Sequence, residues 1–304
     1  MIYENVISLI NNTPLVKLNK IASEYNIYAK LESFNPGGSI KDRIALNMVE
    51  NAEKKGLLKA GATIVEPTSG NTGIGLSLVG AVKGYKVILV MPESMSDERK
   101  KLLKSYGAEL ILTPAEEGMR GSVEKAEELL AENPDYYMPS QFENLANPEA
   151  HIKTTAQELL ADLDRIDSFV AAVGTGGTLT GTGQVLKEKF PEIQITAVEP
   201  KDSAVISGEK PGPHMIQGIG AGFIPNVLNQ DLIDNIITIG NKEAYKMSLR
   251  LASEEGILAG ISAGANVLAA LKVAKELGKD KNIVTIIPDT GERYLSLHKV
   301  FDIV

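Results

Sequence analysis

An α/β fold built on mostly parallel sheets is predicted by three features of this 304-residue chain. Short β-branched runs recur, each followed by a segment of helical period. Polar, glycine-rich turns follow several of those runs. The chain also exceeds the length at which a single core usually stops growing, which favours two domains or one large α/β domain.

The runs are "TIVEP" (63 to 67), "KVILVM" (86 to 91), "ELILT" (109 to 113), "SFVAAVG" (168 to 174), "QITAVEP" (194 to 200) and "NIVTIIP" (282 to 288). Near-continuous apolar stretches of this length are what strands buried on both faces require. Between them, "SIKDRIALNMVENAEKKG" places Ile40, Ile44, Met48 and Ala52 four apart, with Gly56 as a stop. Ser39 followed by Asp42 resembles a capping box, predicting a helix from Ile40 with Lys41 at its second position. Further helices are expected after Ser96, Gly121, Pro148, Gly177 and Ser262. The Asn- and Pro-rich stretch 131 to 150 reads as a connection between two α/β units, and 200 to 226 is too long for an ordinary connector.

Composition narrows the function. With 31 basic against 39 acidic residues the formal charge is -8, which argues against a broad nucleic-acid surface. Absence of Cys removes disulfides, thiolate metal sites and a thiol nucleophile, and fits a reducing cytoplasm. No leader and no run of about 18 apolar residues is seen, so neither export nor a membrane span is expected. His151, His214 and His298 show no metal spacing and read as surface or loop residues; no metal is expected.

Four stretches carry candidate chemistry. In "NPGGSIKDR" a lysine, Lys41, enters a helix N-terminus whose partial positive charge disfavours an ammonium. A neutral amine there would serve as nucleophile and base, and the preceding glycines suit close approach of backbone to another group. "EPTSGNTGIG" follows a strand and opens a helix, where open parallel sheets bind ligands; Thr68, Ser69, Asn71 and Thr72 offer hydroxyl, amide and helix-terminal N–H donors. "VGTGGTLTGTG" suits one phosphate, with Thr175 and Thr178 as added donors. It is not a dinucleotide fingerprint, because Leu179 stands where the third glycine belongs. "GISAGAN" offers Ser262, by default a helix N-cap.

In this order "NPGGSIKDR", "PTSGNTG", "GTGGT", "GIGAGF", "GISAGAN" and "GERYLS" resemble the cysteine synthase (O-acetylserine sulfhydrylase) family, fold-type II enzymes using pyridoxal 5′-phosphate (PLP), from about residue 6 to 297. The resemblance implies two open, twisted, mostly parallel-sheet α/β domains with PLP in the cleft between them. The smaller, mobile domain would comprise residues 1–12 and 35–145 and carry Lys41 and the TSGNTG loop. The larger would comprise 13–34 and 146–304 and carry the phosphate loop and the pyridine-nitrogen site.

Residue by residue, Lys41 matches the Schiff-base lysine and α-proton base. Asn71 matches the partner of the ring hydroxyl, and Gly174, Thr175, Gly176, Gly177 and Thr178 match the phosphate cup. Ser262 matches the partner of the pyridine nitrogen, where a neutral hydroxyl gives a weaker electron sink than a carboxylate and favours prompt loss of a β-leaving group. Thr68, Ser69, Gly70, Thr72, Gln141 and Gly218 match substrate-binding positions. The implied reaction forms L-cysteine and acetate from O-acetyl-L-serine and sulfide through an α-aminoacrylate. A cystathionine β-synthase-like, or a cysteine-desulfhydrating and lanthionine-forming, β-replacement using serine, cysteine or homocysteine is the alternative. The resemblance further implies a homodimer that accepts the C-terminal tail of serine acetyltransferase. The chain departs from many relatives at Ala263, Asp289 and Thr290, and Asp289 would bring negative charge towards the pyridine ring.

Overall fold

All six predicted runs are strands in the computed structural model, which describes residues 2–299 and 301, the side chains of 298 and 299 excepted. In chain order the first elements are β1 (Leu15–Lys17), β2 (Asn26–Leu31), α1 (Lys41–Lys54), β3 (Thr63–Pro67), α2 (Asn71–Lys83) and β4 (Lys86–Pro92). Next come α3 (Asp97–Ser105), β5 (Glu109–Thr113), α4 (Gly118–Glu132), α5 (Ala146–Lys153) and α6 (Thr155–Asp162). Then follow β6 (Ser168–Ala172), α7 (Gly177–Lys189), β7 (Gln194–Pro200), β8 (Asn235–Ile239), α8 (Asn241–Glu255), α9 (Ile261–Leu277) and β9 (Asn282–Ile287). No described helix is long and apolar enough to cross a membrane.

The chain divides into two compact units, one of Met1–Ile10 with Asn35–Asn147, the other of Asn11–Phe34 with Pro148–Val304. The first holds a parallel sheet of order β3-β4-β5. Its core gathers Ile64 and Leu89 from the sheet with Ala45 and Val49 of α1 and Leu76 and Val79 of α2. On the opposite sheet face Val65, Ile88 and Val90 pack with Ala126 of α4. Helices α1 and α2 meet closely: a Cβ on Gly75 would lie 2.9 Å from the Ala45 Cβ and 3.0 Å from the Lys41 carbonyl oxygen. That contact sets the start of α1 against the start of α2.

The second unit holds six strands in the order β1-β2-β9-β6-β7-β8, all pairs parallel except β1 with β2. Three of these strands, β1, β2 and β8, were not anticipated. β1 has three residues, too few for a pattern. β2 reads "NIYAKL", and its lysine breaks the apolar run. Lys30 is nonetheless buried, with Nζ donating to the Thr13 carbonyl at 2.7 Å and pairing with Glu158 at 3.0 Å and Asp162 at 3.4 Å.

Helix starts differ from expectation in instructive ways. α1 begins at Lys41 itself, with Ile40 as N-cap and no side-chain cap. The capping box does not form: Ser39 Oγ accepts from the Lys41 N–H at 3.2 Å, while Asp42 reaches back to accept from the Gly37 N–H at 2.6 Å. A Cβ on Gly37 would lie 2.4 Å from the Asp42 carboxylate, so that is the group this glycine approaches closely. α3 starts as expected, with Ser96 Oγ accepting from Arg99 N–H. α4 and α5 start earlier, at Gly118 and Ala146. Ser262 is no N-cap: Gly260 caps α9 and Ser262 lies in its first turn.

Candidate active site

In the first unit, the sequence-predicted donors cluster at the carboxyl end of β3. Pro67 ends the strand, and Thr68, buried, continues the pairing by donating its N–H to the Val90 carbonyl at 3.0 Å. Its hydroxyl accepts from Gly70 N–H at 3.3 Å, turning the chain into α2, which Gly70 caps. Asn71 and Thr72 open the helix, so first-turn N–H groups without intrahelical acceptors are offered beside two side-chain donors. Thr72 donates its hydroxyl to Gln141 Oε1 at 2.6 Å, joining two predicted substrate residues that are far apart in sequence. Ser69 is held by two unpredicted neighbours: Arg99 Nη1 donates to its carbonyl at 3.2 Å, and its hydroxyl lies 4.0 Å from Met119 Sδ. Lys41 is half-buried at the first position of α1.

In the second unit, Gly174–Thr178 links β6 to α7. A Cβ on Gly174 would sit 2.2 Å from the Gly218 carbonyl oxygen, and Gly176 has φ +86° with a Cβ position 2.8 Å from Leu228. The loop therefore keeps its backbone amides uncovered by side chains at the positive end of α7, the local chemistry of a phosphate site. Gly218, at φ +89°, belongs to the neighbouring loop whose Gly220 N–H donates to the Val173 carbonyl at 2.9 Å. Thr178 contacts His151, whose Nε2 is 3.2 Å from its hydroxyl and whose Nδ1 is 2.9 Å from Thr155 Oγ1. This corrects the surface reading of His151, which is 1% exposed. His214 lies in a loop with Nε2 2.9 Å from the Gly220 carbonyl oxygen, and the side chain of His298 falls outside the described residues.

Ser262 is buried two residues into α9 from Gly260. Asp289 packs at that same helix start: a Cβ on Gly260 would lie 2.2 Å from its carboxylate, and Tyr294 donates its hydroxyl to Asp289 at 2.5 Å. The acid expected to add negative charge is thus buried and hydrogen-bonded beside the α9 cap. Among the described residues no group of three or more His, Asp and Glu could hold a metal ion.

Residues 6–289 match the family described as pyridoxal-phosphate dependent enzyme. The chain belongs to this family. Among relatives of this pyridoxal-phosphate dependent enzyme, a cysteine synthase of Staphylococcus aureus (strain Mu50 / ATCC 700699) is 57% identical over 297 residues, 96% of each chain. Solved structures agree. A cysteine synthase (OASS) from Entamoeba histolytica superposes with TM-score 0.96 at 46% identity, covering 100% of this chain and 92% of the other. An O-ureido-L-serine synthase also gives TM-score 0.96 at 46% identity, covering 100% and 96%.

The residues present fit pyridoxal phosphate. The glycine cradle of 174–178, which a Cβ would fill, and the unshielded start of α7 suit its single phosphate. A half-buried lysine on the first turn of α1 suits its aldehyde.

Arg99, His151 and Glu66 were missed or left without a role by sequence reasoning. Glu66 alone had a readable signal, an acid inside the otherwise apolar run "TIVEP".

Proposed function

We propose that this enzyme replaces the acetate of O-acetyl-L-serine with sulfide, releasing L-cysteine. The observation that carries the reading is the near full-length likeness to cysteine synthases, 57% identical over 297 residues. Pyridoxal phosphate, when bound, supplies the sink for the electron pair left as the Cα–H bond breaks. Lys41 Nζ would hold the cofactor's aldehyde at rest and, as a free amine during turnover, would take the α-proton, a general-base contribution of about 10²- to 10⁴-fold. Acetate then departs from Cβ, and hydrosulfide forms the new C–S bond there. Lys41 returns the proton to Cα.

The remaining residues orient. Thr68, Ser69, Gly70, Thr72 and Gln141 would hold the substrate carboxylate through hydroxyl, amide and backbone N–H donors, and Gly218 would add a further substrate contact. Asn71 would hold the cofactor's ring hydroxyl, and Gly174 to Thr178 its phosphate. Ser262 would serve the pyridine nitrogen as a neutral hydroxyl, which would keep the sink moderate and favour loss of a β-leaving group.

Product analysis tests the reading, with O-acetylserine against serine as donor and sulfide against homocysteine as acceptor. Cysteine from the first pair at the highest kcat/KM is expected; cystathionine as the dominant product overturns it. We further propose, supported by the same family likeness, a cytoplasmic homodimer that takes the C-terminal tail of serine acetyltransferase. Light scattering and co-purification with that tail test both partners.

A further inference from the structure

Glu66 is 1% exposed, yet it carries a carboxylate into the strand end that leads to the Thr68–Thr72 loop. Oε2 accepts from the Ser140 N–H at 2.9 Å and Oε1 from the Gln141 N–H at 3.2 Å. The segment carrying these amides runs along the open edge of β3: Val65 N–H donates to the Tyr137 carbonyl, and Tyr137 N–H to the Thr63 carbonyl, each at 2.9 Å. Ser140 sits at φ +55°, a backbone state that a side-chain-bearing residue keeps only when its surroundings hold it.

Gln141 is fixed at two further atoms: Asn147 Nδ2 donates to its carbonyl at 2.7 Å, and its Oε1 accepts from Thr72. No described residue accepts from its Nε2, so that amide group keeps its hydrogens for a ligand. Resting on the reading that Gln141 and Thr72 hold the substrate carboxylate, we propose that Glu66 is a positioning residue for the amino-acid substrate. Its two acceptor oxygens hold the Ser140–Gln141 turn in the one conformation that presents the Gln141 amide beside Thr72.

A carboxylate suits this task because it accepts from two amides at once, and charge-assisted bonds hold more tightly than neutral ones. Burial raises the Glu66 pKa to about 7, opposed by the two backbone N–H groups. Tyr137, on the same segment, feels the Glu66 charge, though its own raised pKa is mainly an effect of burial. The buried residues of β4, α2 and α4, the elements packed around β3, include no titratable group. Protonation turns one acceptor into a hydroxyl and weakens the clamp, so substrate affinity falls as pH drops through about 7.

The test uses purified holoenzyme and L-alanine, which has the amino and carboxylate groups but no leaving group, with binding read from the cofactor's absorbance. A Glu66→Gln enzyme has one acceptor for two amides. It is expected to stay yellow, to bind L-alanine about tenfold more weakly, and to show a KM for O-acetylserine raised by the same factor with kcat and the KM for sulfide little changed. Unchanged L-alanine affinity, or parallel loss of cofactor and kcat, overturns the proposal. If Glu66→Gln does not fold, wild-type enzyme decides. Its L-alanine affinity is expected to show an inflexion at about pH 7, on top of the single-proton slope of the amino acid's own ammonium. That slope alone overturns the proposal. L-alanine binding reports on Glu66 whichever donor is used, whereas failure of wild-type enzyme to make cysteine overturns the functional reading instead.

Discussion

Lys41 stands where a helix N-terminus disfavours a plain ammonium, and its proposed roles follow from that placement. Replacing it by Ala is expected to abolish turnover and the borohydride-reducible protein adduct, while the phosphate loop still retains some cofactor. Mass spectrometry after reduction checks this, and full activity would overturn the assignment. Glu66 makes a prediction about stability. Its folded pKa of about 7 lies above the ordinary 4.5, so between these values the folded state holds a proton that the unfolded chain releases. Its contribution is therefore complete below about pH 4.5 and is lost as pH rises to 7, on the order of 3 kcal/mol. Urea titrations across that window should show this fall in wild type and its absence in Glu66→Gln. Lys41, Thr68, Asn71, Thr72 and the glycines of 174–177 stood out in the sequence as candidates because their motifs are contiguous. Glu66 showed only as an acid in an apolar run, and the burial of Lys30 and His151 did not show, since buried polar residues are made tolerable by partners remote in sequence: Gln141, Glu158 and Thr178.

At the scale of elements, the strand-to-helix turns set what each sheet can hold. Gly174→Ala would drive a methyl group into the Gly218 carbonyl oxygen, 2.2 Å away, and displace one of the two loops. The expected result is a folded protein whose cofactor affinity falls about tenfold or more, read by equilibrium dialysis, with strain of about 1–3 kcal/mol in stability. Strands β3, β4, β6, β7 and β9 were readable because two-sided burial writes a continuous apolar run into the sequence; β5 carries such a run although it is an edge strand with Leu112 exposed. β8, an edge strand with an exposed start, and β2, interrupted by Lys30, gave weaker signals. The first residue of α1 was misplaced by one, because Asp42 bonds to Gly37 rather than completing a box with Ser39.

For the whole molecule, the cofactor should be part of the stability. A ligand at about 100 times its Kd adds about 2.7 kcal/mol if it binds only the folded state, so stripping pyridoxal phosphate should lower Tm by several degrees and restoring it should reverse the loss. Calorimetry of the two forms measures this. The two compact units each close their own core, and the second brings β2 beside β9, pairing Asn26 with Asn282 across most of the chain. By itself the sequence determined the parallel α/β class, the position of most strands, the polar loops that follow them and the lysine at a helix start. These are local properties, set by side-chain periodicity and backbone chemistry over a few residues. The tertiary structure alone decided that β2 joins β9, that Gln141 meets Thr72, and that Glu66, Lys30 and His151 are buried with partners. Which surfaces meet, and hence which polar groups lose water and must be hydrogen-bonded, depends on chain segments that no local window contains.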